Sequence, residues 1–289
     1  MPELPEVLTT IRLLKPKIVS KNIQDIWIDK KTKIENLTNK SFISNLKNKK
    51  IISITNIGKY ILFNLSNNQT LIIHQKISGH LLFGNFIKTN NKWKTKTINS
   101  PLNDPKNRFI HFALKFGNNW LALSDSRRLA RITLLNTNQI LTIKPIKQMG
   151  LNPLSKNWTF NNFKQQLLSH NIEIKKALLS QNIISGLGNI YSDEVLFKSK
   201  IHPKRKISSL TNNNLKQLFK YIPEILKQAI KLKGTTFDTY RNPEGNPGLF
   251  AKFLNVYQRK HLPCKICKNK IQSIKINGRT SYFCNKCQK

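Results

Sequence analysis

Apolar residues recur at Leu4, Val7, Leu8, Ile11 and Leu14, three or four apart, the spacing of one face of an α-helix. Pro5 suits the first turn of that helix, and Glu3 and Glu6 suit its positive end. Farther on the period shortens to two. In KYILFNLSNNQTLIIHQ, Ile61, Phe63 and Leu65 fall on one face of a strand, and Asn67-Asn68 supplies a turn. FIHFALKFGNNWLALSD repeats the plan with Ile110, Phe112, Leu114 and Phe116 ahead of Gly117-Asn118-Asn119. Repeated hairpins predict an antiparallel sandwich or barrel in the first half. The segment 85–107 between them is polar, rich in Lys and Asn, and reads as a loop.

After about Pro145 the spacing lengthens again. NFKQQLLSHNIEIKKALLSQNII (162–184) and NLKQLFKYIPEILKQAIKLKG (214–234) predict helices. The second carries Leu215, Leu218, Phe219, Ile222, Ile225 and Leu226 three and four apart. Pro223 should kink it or mark a boundary, because proline removes a backbone donor and crowds the preceding turn. MGLNPL (149–154) reads as the hinge between the halves, and GTTFDTYRNPEGNPGLF (234–250) as a loop long enough to carry function. No internal repeat and no apolar run of membrane-spanning length interrupts this plan.

Charge changes the picture. In 289 residues, 50 Lys and Arg face 13 Asp and Glu, a formal net charge of +37. Such an excess concentrates polyanions, and nucleic acid is the first partner to consider. Part of it has a compositional source, since Lys, Asn and Ile abound throughout, as drift in an AT-rich genome produces. An anionic membrane is the competing polyanion, but no basic amphipathic helix stands out as an anchor. The chain opens without a cationic and apolar leader, so an unsecreted, cytoplasmic protein is expected. All four cysteines, Cys264, Cys267, Cys284 and Cys287, lie in the last 26 residues as C-x2-C-x16-C-x2-C. Two such knuckles supply four thiolates for a tetrahedral zinc ribbon, and a full set of protein ligands makes that metal structural. Two disulfides are the alternative, disfavoured in an unsecreted chain.

Between the helical stretches Gly186-Leu187-Gly188-Asn189 makes a tight turn, and Ile190 opens the next helix with Asp193 and Glu194 in its first turns. Backbone N–H groups at such a start can hold a phosphate, and Asn189 can add a side-chain donor. A lone G-x-G is more often only a turn. Set in a basic helical domain ahead of a zinc ribbon, it reads as a helix–two-turn–helix gripping DNA backbone. Taken in order, MPELPEV, SGLGNIYSDEVLF followed by IHP, GNPGLFAKFLNVYQRK and GRTSYFCNKCQK resemble formamidopyrimidine-DNA glycosylases essentially end to end. The opening is similar to that family rather than to its endonuclease VIII relatives.

The resemblance implies an α+β multidomain fold. An N-terminal antiparallel β-sandwich with a short N-terminal helix spans 1–132, and a hinge spans 133–152. A helix–two-turn–helix domain follows over 153–250, its loop 234–250 covering the lesion, and a four-cysteine zinc ribbon over 251–289 holds one Zn2+. It also implies a monomer that binds damaged double-stranded DNA between its domains, in a bacterial-type cytoplasm. Pro2, freed by removal of Met1, matches the family's nucleophile. A free α-amino group has a pKa of ~8 against ~10.4 for lysine, so far more of it is unprotonated at neutral pH. Glu3 resembles the general acid/base and Glu6 a supporting carboxylate. Lys59, in IGKYIL, matches the lysine near the lesion phosphates. Arg279, on the turn between the ribbon strands, matches the arginine that clamps the flanking phosphates. His74, Arg127, Lys175 and Asn189 match backbone-binding positions, although each alone would be an ordinary surface or turn residue.

The family's Met-Arg-Phe wedge, which holds the helix open around a flipped nucleotide, reads Ile77, Arg127 and Leu129 here. Ile and Leu remain apolar wedges with less stacking area than Phe. A KHDH-like stretch reads RFIH at 108–111 and keeps only His111, LGPEPL reads MGLNPL, and a glycine pair reads Lys233-Gly234. These departures bear on lesion preference more than on reaction type. The implied activity is excision of oxidised purines, such as 8-oxoguanine and formamidopyrimidines, followed by β,δ-elimination. An endonuclease VIII-like enzyme for oxidised pyrimidines and a degenerate, non-catalytic DNA-binding protein are the alternatives. Joint retention of Pro2, Glu3, Lys59 and Arg279 weighs against the latter.

Overall fold

In the computed structural model, which describes residues 2–32, 34–90 and 92–289, Glu3 and Glu6 form a capping box that opens α1 (Leu4–Ile18). Pro5 lies in the first turn, where its missing N–H is one of the unpaired donors anyway. Val7, Ile11, Leu14 and Ile18 bury the helix against a sandwich core that includes Ile61, Phe63, Leu71, Phe112 and Leu114. At roughly 1.5–3 kcal/mol for each fully buried aliphatic side chain, this face contributes more than helix propensity. Next in order come β1 (Asp25–Ile28), α2 (Asn39–Leu46), β2 (Ile51–Ile57), β3 (Tyr60–Leu65), β4 (Gln69–His74) and β5 (His80–Gly84). β6 (Phe86–Thr89), β7 (Lys92–Thr95), β8 (Ile110–Phe116), β9 (Asn119–Ser124) and β10 (Arg131–Asn136) complete the all-β part. Two four-stranded antiparallel sheets result, ordered β1-β8-β9-β5 and β10-β4-β3-β2. Turns at Asn67-Asn68 and Gly117-Asn118 close the β3–β4 and β8–β9 hairpins, with Asn68 and Gly117 in the left-handed region.

Two expectations need correcting here. The segment 85–107 is more than a loop: β6 and β7 pair as a small hairpin, followed by two 3-10 turns. Trp93 is buried between Trp27 and Trp120, edge to face at 5.2 Å from each, and Phe86 joins it over Ala113 and Ala122. The hairpin thereby covers the outer face of a sheet that would otherwise leave apolar area in water. β10 also extends into the stretch expected to be hinge, because Thr133, Leu134, Leu135 and Asn136 pair with Ile72, Leu71, Thr70 and Gln69 of β4.

The chain forms two compact units, one from residues 1–146 and 230–251, the other from 147–229 and 252–289. The segment 230–251, grouped with the helices on sequence, belongs with the sandwich. It donates Thr235 N–H to Glu6, and Arg241 binds Asp104. After a single turn, α3 (Lys144–Lys147), the second unit contains α4 (Phe160–Leu168), α5 (Ile174–Leu179), α6 (Asn189–Lys198) and most of α7 (Asn212–Lys231). It ends in the β11 (Gln272–Ile276) and β12 (Arg279–Phe283) hairpin. The segment 149–154 is anchored within this unit, since Gly150 and Leu151 donate to the Gln181 and Ile183 carbonyls. α7 continues through Pro223, so the proline is not a boundary. The Phe219 carbonyl, deprived of a donor by that proline, accepts the Trp158 indole N–H at 3.3 Å instead. No helix among the described residues is long and apolar enough to cross a membrane.

Candidate active site and nucleic-acid interface

Pro2 and Glu3 are both buried, and Glu3 is the N-cap residue of α1. The Glu3 backbone N–H donates to Glu6 Oε2 at 2.7 Å, so Glu6 fixes the chain direction beside Pro2. The other Glu6 oxygen, Oε1, accepts the Thr235 N–H at 2.7 Å. Gly234, at φ +88°, lies so close that a Cβ there would stand 2.7 Å from that same oxygen. One buried carboxylate therefore ties the N-terminus to the start of loop 234–250. Tyr240 adds a weaker contact, its hydroxyl donating to the Glu6 carbonyl at 3.4 Å, and burial pushes its phenol pKa well up. Sequence reasoning gave Glu6 a supporting role without its partner, which lies 229 residues away.

Lys59 occupies the tight turn between β2 and β3 behind Gly58 and is only 6% exposed. The adjacent Tyr60 pairs across the ladder with His74, their rings edge to face at 4.6 Å. His74 accepts the Lys76 N–H at its Nδ1, which leaves the ring proton on Nε2. Burial, then the Lys76 and Lys59 charges, lower its pKa to about 3. In the protein alone the ring is therefore neutral and offers one N–H donor, at Nε2. Ile77, Arg127 and Leu129 are all exposed on loops of the same unit, Ile77 at 43% and Leu129 at 45%.

In the second unit Asn189 is the first residue of α6, after Gly188 as N-cap. Its side-chain amide donates to the Thr280 carbonyl at 2.8 Å, so the turn and the ribbon hairpin are joined there. Gln181, not singled out from the sequence, builds the turn itself: it donates to the Leu187 carbonyl and accepts the Gly186 N–H. Lys175 departs from expectation. It is fully buried, and its three ammonium donors meet the Asn189 carbonyl, the Ser192 hydroxyl and the Asp193 carboxylate at 3.1, 2.6 and 2.6 Å. A lysine so enclosed braces the start of α6. Asp193 also accepts the Tyr282 N–H, and its pKa is pushed up to about 6 by burial, which Lys175 offsets only in part. Glu194 accepts three successive backbone N–H groups, from Asn255, Val256 and Tyr257. An adjacent acidic pair in a chain this basic was the available signal for these two braces.

The four cysteine sulfurs lie within 4.8 Å of one another, with Cys267–Cys284 at 3.4 Å and Cys264–Cys287 at 3.9 Å. Tetrahedral bonds of ~2.3 Å to a central ion would set sulfurs about 3.8 Å apart, so the cluster fits a metal ion. Arg279 is exposed at the start of β12, just past the Asn277-Gly278 turn.

Three family models match in sequence order. They are the formamidopyrimidine-DNA glycosylase N-terminal domain over residues 1–132, the H2TH domain of the same enzymes over 149–241, and a zinc finger found in FPG and IleRS over 262–289. The formamidopyrimidine-DNA glycosylase of Pelotomaculum thermopropionicum is 34% identical, covering 100% of this chain and 99% of its own. That of Mycoplasma mobile is 36% identical, again covering 100% and 99%. Among solved structures, a Lactococcus lactis Fpg bound to abasic-site DNA superposes with a TM-score of 0.84 at 30% identity over 99% of both chains. The Thermus thermophilus protein does so at 0.84 and 29%, over 99% and 98%. With matches of this extent, the chain belongs to the formamidopyrimidine-DNA glycosylase family.

Proposed function

We infer that the protein is a bifunctional DNA glycosylase and AP lyase that removes oxidised purines from duplex DNA and then cleaves the strand. The observation that carries the mechanism is the N-terminal cluster: Pro2 next to the buried Glu3, with Glu6 holding both the Glu3 backbone and loop 234–250. Freed of Met1, which lies outside the described residues, the Pro2 nitrogen attacks the sugar C1′ with its lone pair. The glycosidic bond breaks, and the base leaves with the bonding pair and is protonated. The nitrogen then loses its proton, the C1′–O4′ bond opens with a proton delivered to O4′, and the sugar remains as an iminium on Pro2. Glu3 moves the protons that this ring opening requires. The iminium acidifies C2′–H, so loss of that proton expels the 3′ phosphate, and a second elimination expels the 5′ phosphate. Lys59 and Arg279 offer positive charge to those phosphates, and His74, Arg127 and Asn189 offer backbone contacts. Ile77, Arg127 and Leu129 fill the space left by the extruded nucleotide, an extrusion that costs a few kcal/mol. Cys264, Cys267, Cys284 and Cys287 hold a zinc ion that braces the ribbon and supplies no reaction step.

Borohydride trapping on a duplex with 8-oxoguanine opposite cytosine, with mass spectrometry of the cross-linked peptide, tests this reading. The adduct is expected on Pro2 and is reduced to a weak glycine adduct, or lost, in Pro2→Gly. A Lactococcus lactis Fpg has been crystallised with DNA carrying an oxidised pyrimidine, so that lesion and an abasic site form the further arms. Processed, metal-loaded protein that traps on none of the three would refute the mechanism.

A further inference from the structure

Asp125 follows β9 directly and is 1% exposed. Its Oδ1 accepts the Ser78 hydroxyl and the Arg127 N–H, the latter at 3.1 Å. Its Oδ2 accepts the Leu129 and Ala130 N–H groups at 2.8 and 2.7 Å. Ser78 follows Ile77 in the loop between β4 and β5, whereas Arg127 and Leu129 stand in the loop between β9 and β10. The two loops also abut at Gly79, where a Cβ would lie 2.4 Å from the Gln75 carbonyl oxygen and 3.2 Å from Ala130 Cβ. Each loop holds a non-glycine residue in the left-handed region, Lys76 and Arg128, both at φ +53°. Such conformations persist where the surroundings over-determine them.

We propose that Asp125 is a positioning residue for base extrusion, its buried carboxylate clamping the Ile77 loop to the Arg127–Leu129 loop as one rigid wedge. The proposal rests on the wedge reading given above. Side chains nearly half exposed gain little direction from packing, so the backbone beneath them sets where Ile77 and Leu129 point. An apolar wedge can offset unstacking only if that backbone does not yield when bases press on it. A carboxylate suits the task because four donors converge on its two oxygens. Asp125→Asn sets an NH2 against two of those donors. Ser78→Ala removes the hydroxyl that bonds Asp125 and accepts the Arg127 N–H across the loops, and leaves the three backbone donors to the Asp125 carboxylate in place.

The test compares Asp125→Asn and Ser78→Ala with the doubly substituted Ile77→Ala/Leu129→Ala protein. Duplex opening is followed by 2-aminopurine fluorescence next to 8-oxoguanine, together with kcat/KM for excision. The control is strand cleavage at an abasic site in a single-stranded oligonucleotide, where no base has to be extruded. Asp125→Asn should slow opening and duplex excision about tenfold and Ser78→Ala about threefold, with the single-strand rate within about twofold of the parent. Equal losses on both substrates would make Asp125 a merely structural residue and overturn the proposal. If the double alanine protein slows opening while Asp125→Asn and Ser78→Ala do not, the wedge stands and the clamp falls. If the double alanine protein opens DNA normally, the wedge reading itself fails. Should Asp125→Asn not fold, Ser78→Ala decides the matter alone.

Discussion

At His74 the ring proton is confined to Nε2, and the folded state holds its pKa near 3. An unfolded histidine takes up a proton near pH 6.5, so between pH ~6.5 and ~3 the unfolded chain binds more protons than the native one. Stability therefore falls as pH drops through that window. His74→Asn keeps an acceptor for the Lys76 N–H and removes the titration, and its urea midpoint should fall less than the parent's between pH 7 and pH 4.5. An equally steep fall would show that other groups govern the acid limb. The helix start at Glu3 and Glu6 and the four-cysteine cluster were legible because short local motifs carry them. Lys175 was not: it is one of 50 cations, and its acceptors at Asn189, Ser192 and Asp193 lie 14 to 18 residues away. Nothing in its own neighbourhood distinguishes a buried brace from a surface charge.

Among the elements, α7 shows how a helix tolerates proline once another group serves the stranded carbonyl. Trp158 stacks on Phe219 at 5.5 Å and donates its indole N–H to the Phe219 carbonyl. Trp158→Phe retains the stacking and loses the donor, and should cost about 1–2 kcal/mol in thermal or urea unfolding. Pro223→Ala restores a backbone donor, so the second substitution should recover much of that loss. Additive costs would show that the indole bond is incidental. The apolar stripe of α7 was plain from its spacing, whereas its continuity through Pro223 depended on a tryptophan more than 60 residues earlier. The β6–β7 hairpin was obscured for a similar reason. Its strands are four residues each and mostly polar, and its stability comes from Trp93 meeting Trp27 and Trp120.

For the molecule as a whole, the ribbon is not a free appendage. Tyr282 N–H is held by Asp193, residues 255–257 are held by Glu194, and Phe197 packs with Val256, Cys264, Ile271 and Cys284. Removing the metal with a chelator should loosen the ribbon and α6 together, weaken DNA binding and leave the sandwich folded. Amide hydrogen exchange would resolve the two units, and undiminished DNA binding by metal-free protein would contradict the coupling. The hydrogen bond from Thr235 to Glu6 has a consequence for synthesis. Its two ends are 229 residues apart, so at ribosomal rates of ~5–20 residues per second Glu6 waits roughly 10–50 s for its partner. During that interval the nascent sandwich lacks the strap that ties Glu6 to the start of loop 234–250. The buried corner of Pro2, Glu3 and Glu6 is thus completed late, by a residue translated 229 positions after Glu6.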